Sequence, residues 1–188
     1  MKRLFAAICA VWVGLAAPSF AQSRDALAEV NRCIKESEVD PDRALVYCAR
    51  AMATRDKLPA DEVIRVLLIR GNIYVNKNDL DSAFADFNEA VRIRPQDARG
   101  YGSRGMVWHK KRELDHAITD YDESFRLDPT NDDLLVLRGI AFKEKNDLNR
   151  ALADFDTALR IDPKNPNAQQ QRCLVLKKMG SSDPCPAR

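Results

Sequence analysis

Three arginines occupy one place in three copies of a pattern: Arg70, Arg104 and Arg138, each followed by a glycine and, four residues on, by an aromatic, Tyr74, Trp108 or Phe142. A cation recurring every 34 residues is either a ligand contact used three times or a charge that pins a structural unit. Asp86, Asp120 and Asp154 favour the second reading, because one of them follows each arginine at a constant sixteen residues. Residues roughly equidistant from a turn become neighbours in an antiparallel hairpin. The spacing therefore predicts an Arg–Asp ladder, within or between adjacent repeats, with the arginine stems packed on the core.

Other residue types could carry chemistry. Cys33, Cys48, Cys173 and Cys185 lie as one close pair toward each end. In an exported protein such an even set reads as two disulfides; three pairings are formally open, and the close spacing favours Cys33–Cys48 and Cys173–Cys185. Neither pair has the short Cys-x2-4-Cys spacing of a structural zinc site, and no metal is expected. His109 and His116 are seven apart with no third ligand and read as two surface histidines. The stretch 76–89 has the acidic residues of a calcium loop but not its central glycine. The remaining carboxylates fall at helix starts, as in Asp79-Leu80-Asp81, where acids complement the helix dipole. With no P-loop, dinucleotide fingerprint or nucleophile–base set, the expectation is a non-enzyme without cofactors.

Residues 1–21 have Lys2 and Arg3, an apolar run from Leu4 to Ala17, Pro18, and the small-residue end Ser19-Phe20-Ala21, the order of a secretory signal peptide. Cleavage after Ala21 is expected, leaving a mature chain from Gln22 with no membrane span. The chain has 30 basic and 28 acidic residues; with Lys2 and Arg3 removed the two signs balance. That argues against nucleic-acid or membrane-surface binding, which draws on a basic excess. The brief alanine-rich leader and the lack of any Asn-x-Ser/Thr site point to a bacterial envelope, so the expected location is exported, periplasmic or secreted.

The elements that position these residues follow from the same period. Ala83, Ala117 and Ala151 are in register, then Phe87, Tyr121 and Phe155, then Pro95, Pro129 and Pro163. In the first copy Leu67, Arg70, Gly71 and Tyr74 share one face of a helix, and Ala83, Phe87 and Ala90 share one face of a second. Between them, Asn78 suits a left-handed helix end and Asp79 a helix start. Pro95 stops the second helix at Arg94. Gly71 is expected to face the small Ala83 where the helices cross, and the three glycines in register, Gly71, Gly105 and Gly139, point to a packing reason. One hairpin cannot cover its own apolar face, so copies must stack.

A 34-residue period with Gly, aromatic, Ala, aromatic and Pro in this order resembles the tetratricopeptide repeat family. The resemblance implies an all-α fold: a right-handed superhelical solenoid of antiparallel helix-turn-helix hairpins with a C-terminal capping helix. The expected divisions are a signal peptide (1–21), a degenerate N-terminal hairpin (22–63), repeats at 64–97, 98–131 and 132–165, a capping helix (166–180) and a tail (181–188). In the hairpin, helices are expected from Asp25 to Glu36 and from Asp42 to Thr54.

The family usually binds extended peptides or helices along its first helices. Here that face carries Arg65, Leu68, Asn72, Val75 and Asn76 in the first copy, and Arg99, Gly102, Met106, His109 and Lys110 in the second. Asp133, Val136, Ile140 and Lys143 follow in the third, and Gln170, Leu174 and Lys177 on the cap. Its cations favour an acidic peptide or a C-terminal carboxylate. The carboxylate clamp of some members is not matched, since Leu68, Asp133 and Leu137 replace the required cations. The expected function is a protein-protein interaction scaffold in the envelope. The alternatives are an accessory subunit of a peptidoglycan or secretion enzyme complex, or a self-associating module. The partner is a protein or peptide, and the chain a monomer or weak homo-oligomer.

Overall fold

Asp40, Asp79, Asp97, Asn131, Asp147 and Asn165 each accept a backbone N–H at a helix start, and these caps punctuate the whole chain. A computed structural model describes residues 17–181. Among them the helices are α1 (Ala17–Glu36), α2 (Pro41–Ala53), α3 (Ala60–Asn76), α4 (Leu80–Ile93), α5 (Ala98–Lys110), α6 (Leu114–Leu127), α7 (Asp132–Glu144), α8 (Leu148–Ile161) and α9 (Pro166–Lys178), with one 3-10 turn at Arg55–Lys57 and no strand. The fold is all-α, a run of antiparallel hairpins. Asn78, Arg112 and Asn146 take positive φ of 61°, 68° and 63° at the three hairpin turns. Arg94, Asp128 and Asp162, each before a proline, leave helical geometry and end α4, α6 and α8.

The chain divides into two units, Met1–Val66 and Leu67–Arg188. In the first, α1 and α2 pack together and Cys33 is bonded to Cys48, both fully buried. Ala44, Cys48 and Ala51 occupy the fourth, eighth and eleventh places of α2, the places of Ala83, Phe87 and Ala90 in α4. A disulfide thus stands where the repeats have an aromatic ring. Tyr47 takes the place of Asp86, and its ring lies 5.8 Å and 5.7 Å from the Arg32 and Arg50 guanidinium carbons.

The described part of α1 runs from Ala17, ahead of the expected start at Asp25, and across the expected cleavage point. Neither glycine nor proline interrupts residues 19–36, so the helix runs through them without a break. Residues 1–16 of the expected leader, the tail 182–188 and hence the Cys185 end of the second expected disulfide lie outside the described residues. Among the described residues no helix is long and apolar enough to cross a membrane.

In the second unit the core repeats with the sequence. Phe87, Tyr121 and Phe155 are fully buried, as are Ala83, Ala117 and Ala151. The glycines face the rings rather than the alanines: a Cβ on Gly71, Gly105 or Gly139 would come within 2.4, 2.8 and 2.6 Å of Phe87, Tyr121 and Phe155. The reason is register. Glycine and ring are sixteen apart, the same offset about the turn as arginine and aspartate, whereas the alanines sit closer to the turn.

Candidate functional site

Each repeated arginine lies against its aspartate. Arg70 donates through Nε and Nη2 to both Asp86 oxygens at 2.8 and 2.6 Å, Arg104 to Asp120 at 2.8 and 2.7 Å, and Arg138 to Asp154 at 2.9 and 2.6 Å. These are two-pronged, charge-assisted pairs with mostly buried carboxylates. The aspartate hydrogen bond holds the Arg70 and Arg104 guanidinium groups above their ordinary value. At Arg138 burial pulls the other way, and Asp154 with Asp122 outweighs it.

In Arg104 and Arg138 the free edge of the guanidinium turns to the preceding hairpin. Arg104 donates to Asn88 and Arg138 to Asp122, both at 2.7 Å, and Arg172 donates to Asp156 at 2.6 Å. Sequence reasoning missed this second row, although its signal was present: Asn88, Asp122 and Asp156 recur at 34 and precede each arginine by sixteen. Arg172 is the fourth member of the arginine series, and Cys173 stands where the earlier copies have glycine. A glycine is not required there, because α9 is the last helix of the described residues and no ring from a following helix approaches it. At the turns Lys111 reaches Asp81 and Lys145 reaches Asp115. The repeated charges are thereby spent on holding one hairpin to itself and to its neighbour.

What is left over is the face along α5, α7 and α9. Arg99, Gly102, Met106 and Asp133 border a cavity of about 250 Å³ between α5 and α7, whose apolar lining is Met106, Leu134 and Leu137. A second cavity, about 440 Å³, lies between α7 and α9 and shares Asp133 and Leu137; Val136, Ile140, Asn167 and Gln171 complete it. On α9 it is Gln171, not Gln170, that turns toward α7, where it accepts from Lys143. Leu174 and Lys177 are exposed. In the first copy Asn72 and Asn76 are exposed, Leu68 and Val75 are buried, and Arg65 is ion-paired with Glu62 at 3.4 Å.

Several of the expected cations are already engaged. Arg99 is held by Asp97 through two bonds of 3.0 and 2.7 Å, and Lys143 by Gln171. Lys110 is exposed. His109 is half-buried beside Glu144 at 3.3 Å, with its ring edge-on to Tyr121, and His116 stacks on Trp108 with centroids 4.8 Å apart. His109 is therefore not a bland surface residue, because the α5–α7 packing covers it. Beside it, burial pushes the Tyr121 hydroxyl up, and among the described residues its oxygen has no hydrogen-bond partner. Among the described residues no group of three or more His, Cys, Asp or Glu side chains is placed to hold a metal ion.

Family profiles described as tetratricopeptide repeat match residues 64–97 and 109–166. No curated protein matches the chain by sequence. Among solved structures it is similar to the MamA protein (17% identity, 85% of this chain and 84% of that one, TM-score 0.71). It is likewise similar to YrrB, described as a TPR protein with an unusual peptide-binding site (19%, 88% and 84%, TM-score 0.67). A third is the first TPR of Spaghetti (RPAP3), bound to an HSP90 peptide (19%, 64% and 95%, TM-score 0.61). At these identities the likeness is one of fold.

Proposed function

Because the chain belongs to the tetratricopeptide-repeat family, we propose that it is a non-catalytic interaction scaffold that takes a partner protein or peptide along α5, α7 and α9. One observation carries this reading. The side chains that stack the hairpins are matched to one another, while the two cavities along α7 have apolar linings that no part of the described chain fills. Apolar concavities with a few convergent polar groups are where binding sites form. The YrrB and Spaghetti structures, whose descriptions name a peptide-binding site and a bound peptide, support the reading by analogy. Leu68, Asp133 and Leu137 stand where a carboxylate clamp has its cations, so the proposed partner is not an acidic chaperone tail.

We place the protein in an exported, periplasmic compartment. Its support is the three-part leader and the buried Cys33–Cys48 bridge, a bond that persists in oxidising surroundings. The test is crosslinking in intact cells, affinity capture and mass spectrometry. A small set of envelope proteins, recovered in constant proportion and lost when Met106 and Ile140 are both changed to Glu, is the expected result. Recovery of abundant cytosolic proteins alone, unchanged in the variant, contradicts it.

A further inference from the structure

The three copies are not equivalent on their inner face. At one register position the first and third carry Leu68 and Val136, both buried, while the second carries Gly102. Opposite it, Ser124 replaces the alanine of the other copies, Ala90 and Ala158, and satisfies its hydroxyl by donating to the Ala98 carbonyl at 2.8 Å. A Cβ at Gly102 would lie 3.2 Å from Ser124 Oγ and 3.4 Å from Leu134 Cδ1. A branched side chain like those of the neighbouring copies would press on Ser124 and Leu134 here, and the bare Gly102 backbone instead borders the space beside them. That space forms part of the 250 Å³ cavity lined by Met106, Leu134 and Leu137.

We propose that the gap at Gly102 is a side-chain subsite: it takes one large apolar residue (Leu, Met or Phe) of an extended peptide, with a Lys or Arg beside it meeting Asp128 and Asp133. This rests on the scaffold reading and names the partner chemistry of the same site. The cavity is smaller than the roughly 300–1,000 Å³ usual for a drug-sized ligand, and suits one side chain. Its rim sets the sign of the neighbouring charge. Arg99 is bonded to Asp97, whereas Asp133 is exposed and, among the described residues, accepts a long bond from Asn165 at 3.3 Å. Asp128 is occupied by Thr130 through a single oxygen. Carboxylates therefore outnumber available cations at this point, opposite to the acidic-peptide preference expected from residue types alone.

The test is selection of a displayed library of random dodecapeptides on the purified protein, followed by titration of the recovered peptides. Expected are peptides with one large apolar residue flanked within two positions by Lys or Arg. Gly102→Val, which copies the third repeat, should weaken them by at least about tenfold, its melt being recorded beside it because the new Cβ would press on Ser124 and Leu134. Met106→Gln keeps the volume and changes the lining, and should weaken them too. Asp133→Lys should remove the preference for the basic flank. Recovered peptides that bind Gly102→Val and Met106→Gln as well as the parent would overturn the subsite and leave the scaffold reading standing. Acidic flanks would overturn the charge assignment. Failure to enrich any peptide would overturn the scaffold reading itself.

Discussion

Asp120→Ala tests whether the repeated charges hold the array in register. Asp120 is 7% exposed and Arg104 19%, and the substitution removes both bonds of the pair. Breaking a buried pair by deleting one partner costs about 3–5 kcal/mol, because the other charge is stranded. Arg104 keeps its bond to Asn88 and some access to water, which brings the expected loss just under that range, to about 2–3 kcal/mol. For a chain of this length each kcal/mol moves Tm by about 2–4 °C, so the melt should fall by roughly 4–12 °C. Thermal melts followed by circular dichroism measure it. The paired variant Arg104→Met with Asp120→Leu should recover most of the loss, since an apolar pair of similar volume removes the stranded charge. An unchanged Tm for Asp120→Ala, or a double variant that falls by the sum of the two singles, refutes the reasoning.

Three further outcomes follow from the packing. Gly105→Ala should destabilise by about 1–3 kcal/mol despite alanine's better helix propensity, because its Cβ would meet the buried Tyr121 ring at 2.8 Å; denaturant titration reads it. Replacing Cys33 and Cys48 by Ala opens a bridge of sequence separation 15 and should cost about 3 kcal/mol, seen by hydrogen exchange as lost protection in α1 and α2. The Asp79, Asp128 and Asp147 carboxyls are held below their ordinary value by hydrogen bonds from Ser82, Thr130 and Arg150. Their contribution is full above the unfolded aspartate value of about 3.9 and is lost as pH falls below it, so Tm should drop on acidification below about pH 4, and Asp79→Ala should flatten that drop.

The period was legible because it is written in residues with narrow uses. Glycine under a ring, proline after a helix and asparagine in a left-handed turn have few substitutes, and Asn78 and Asn146 could be read directly. Arg112 at the same turn could not, since nothing in an arginine signals positive φ. The sixteen-residue offset located the Arg–Asp pairs, and the same offset applied to glycine would have found the rings in place of the alanines. Helix ahead of Asp25 was missed because residues 1–21 read as a leader, although from Ser19 to Glu36 the sequence holds neither glycine nor proline. On the inner face, stripe positions followed from spacing by three and four, but the engagement of Arg99 with Asp97 and of Lys143 with Gln171 depends on side-chain rotamers that spacing does not encode. The gap at Gly102 emerges only when the copies are compared with the space around them.

The central claim is that partners are taken along α5 and α7, on the first helices of the hairpins, and site-specific photo-crosslinking in cells tests it most directly. A photoreactive residue at Met106 or Ile140 should give a discrete adduct, while the same residue at the exposed Thr119 of α6 or Ala153 of α8 should give none. Adducts from Thr119 and Ala153 with none from Met106 and Ile140 would contradict it.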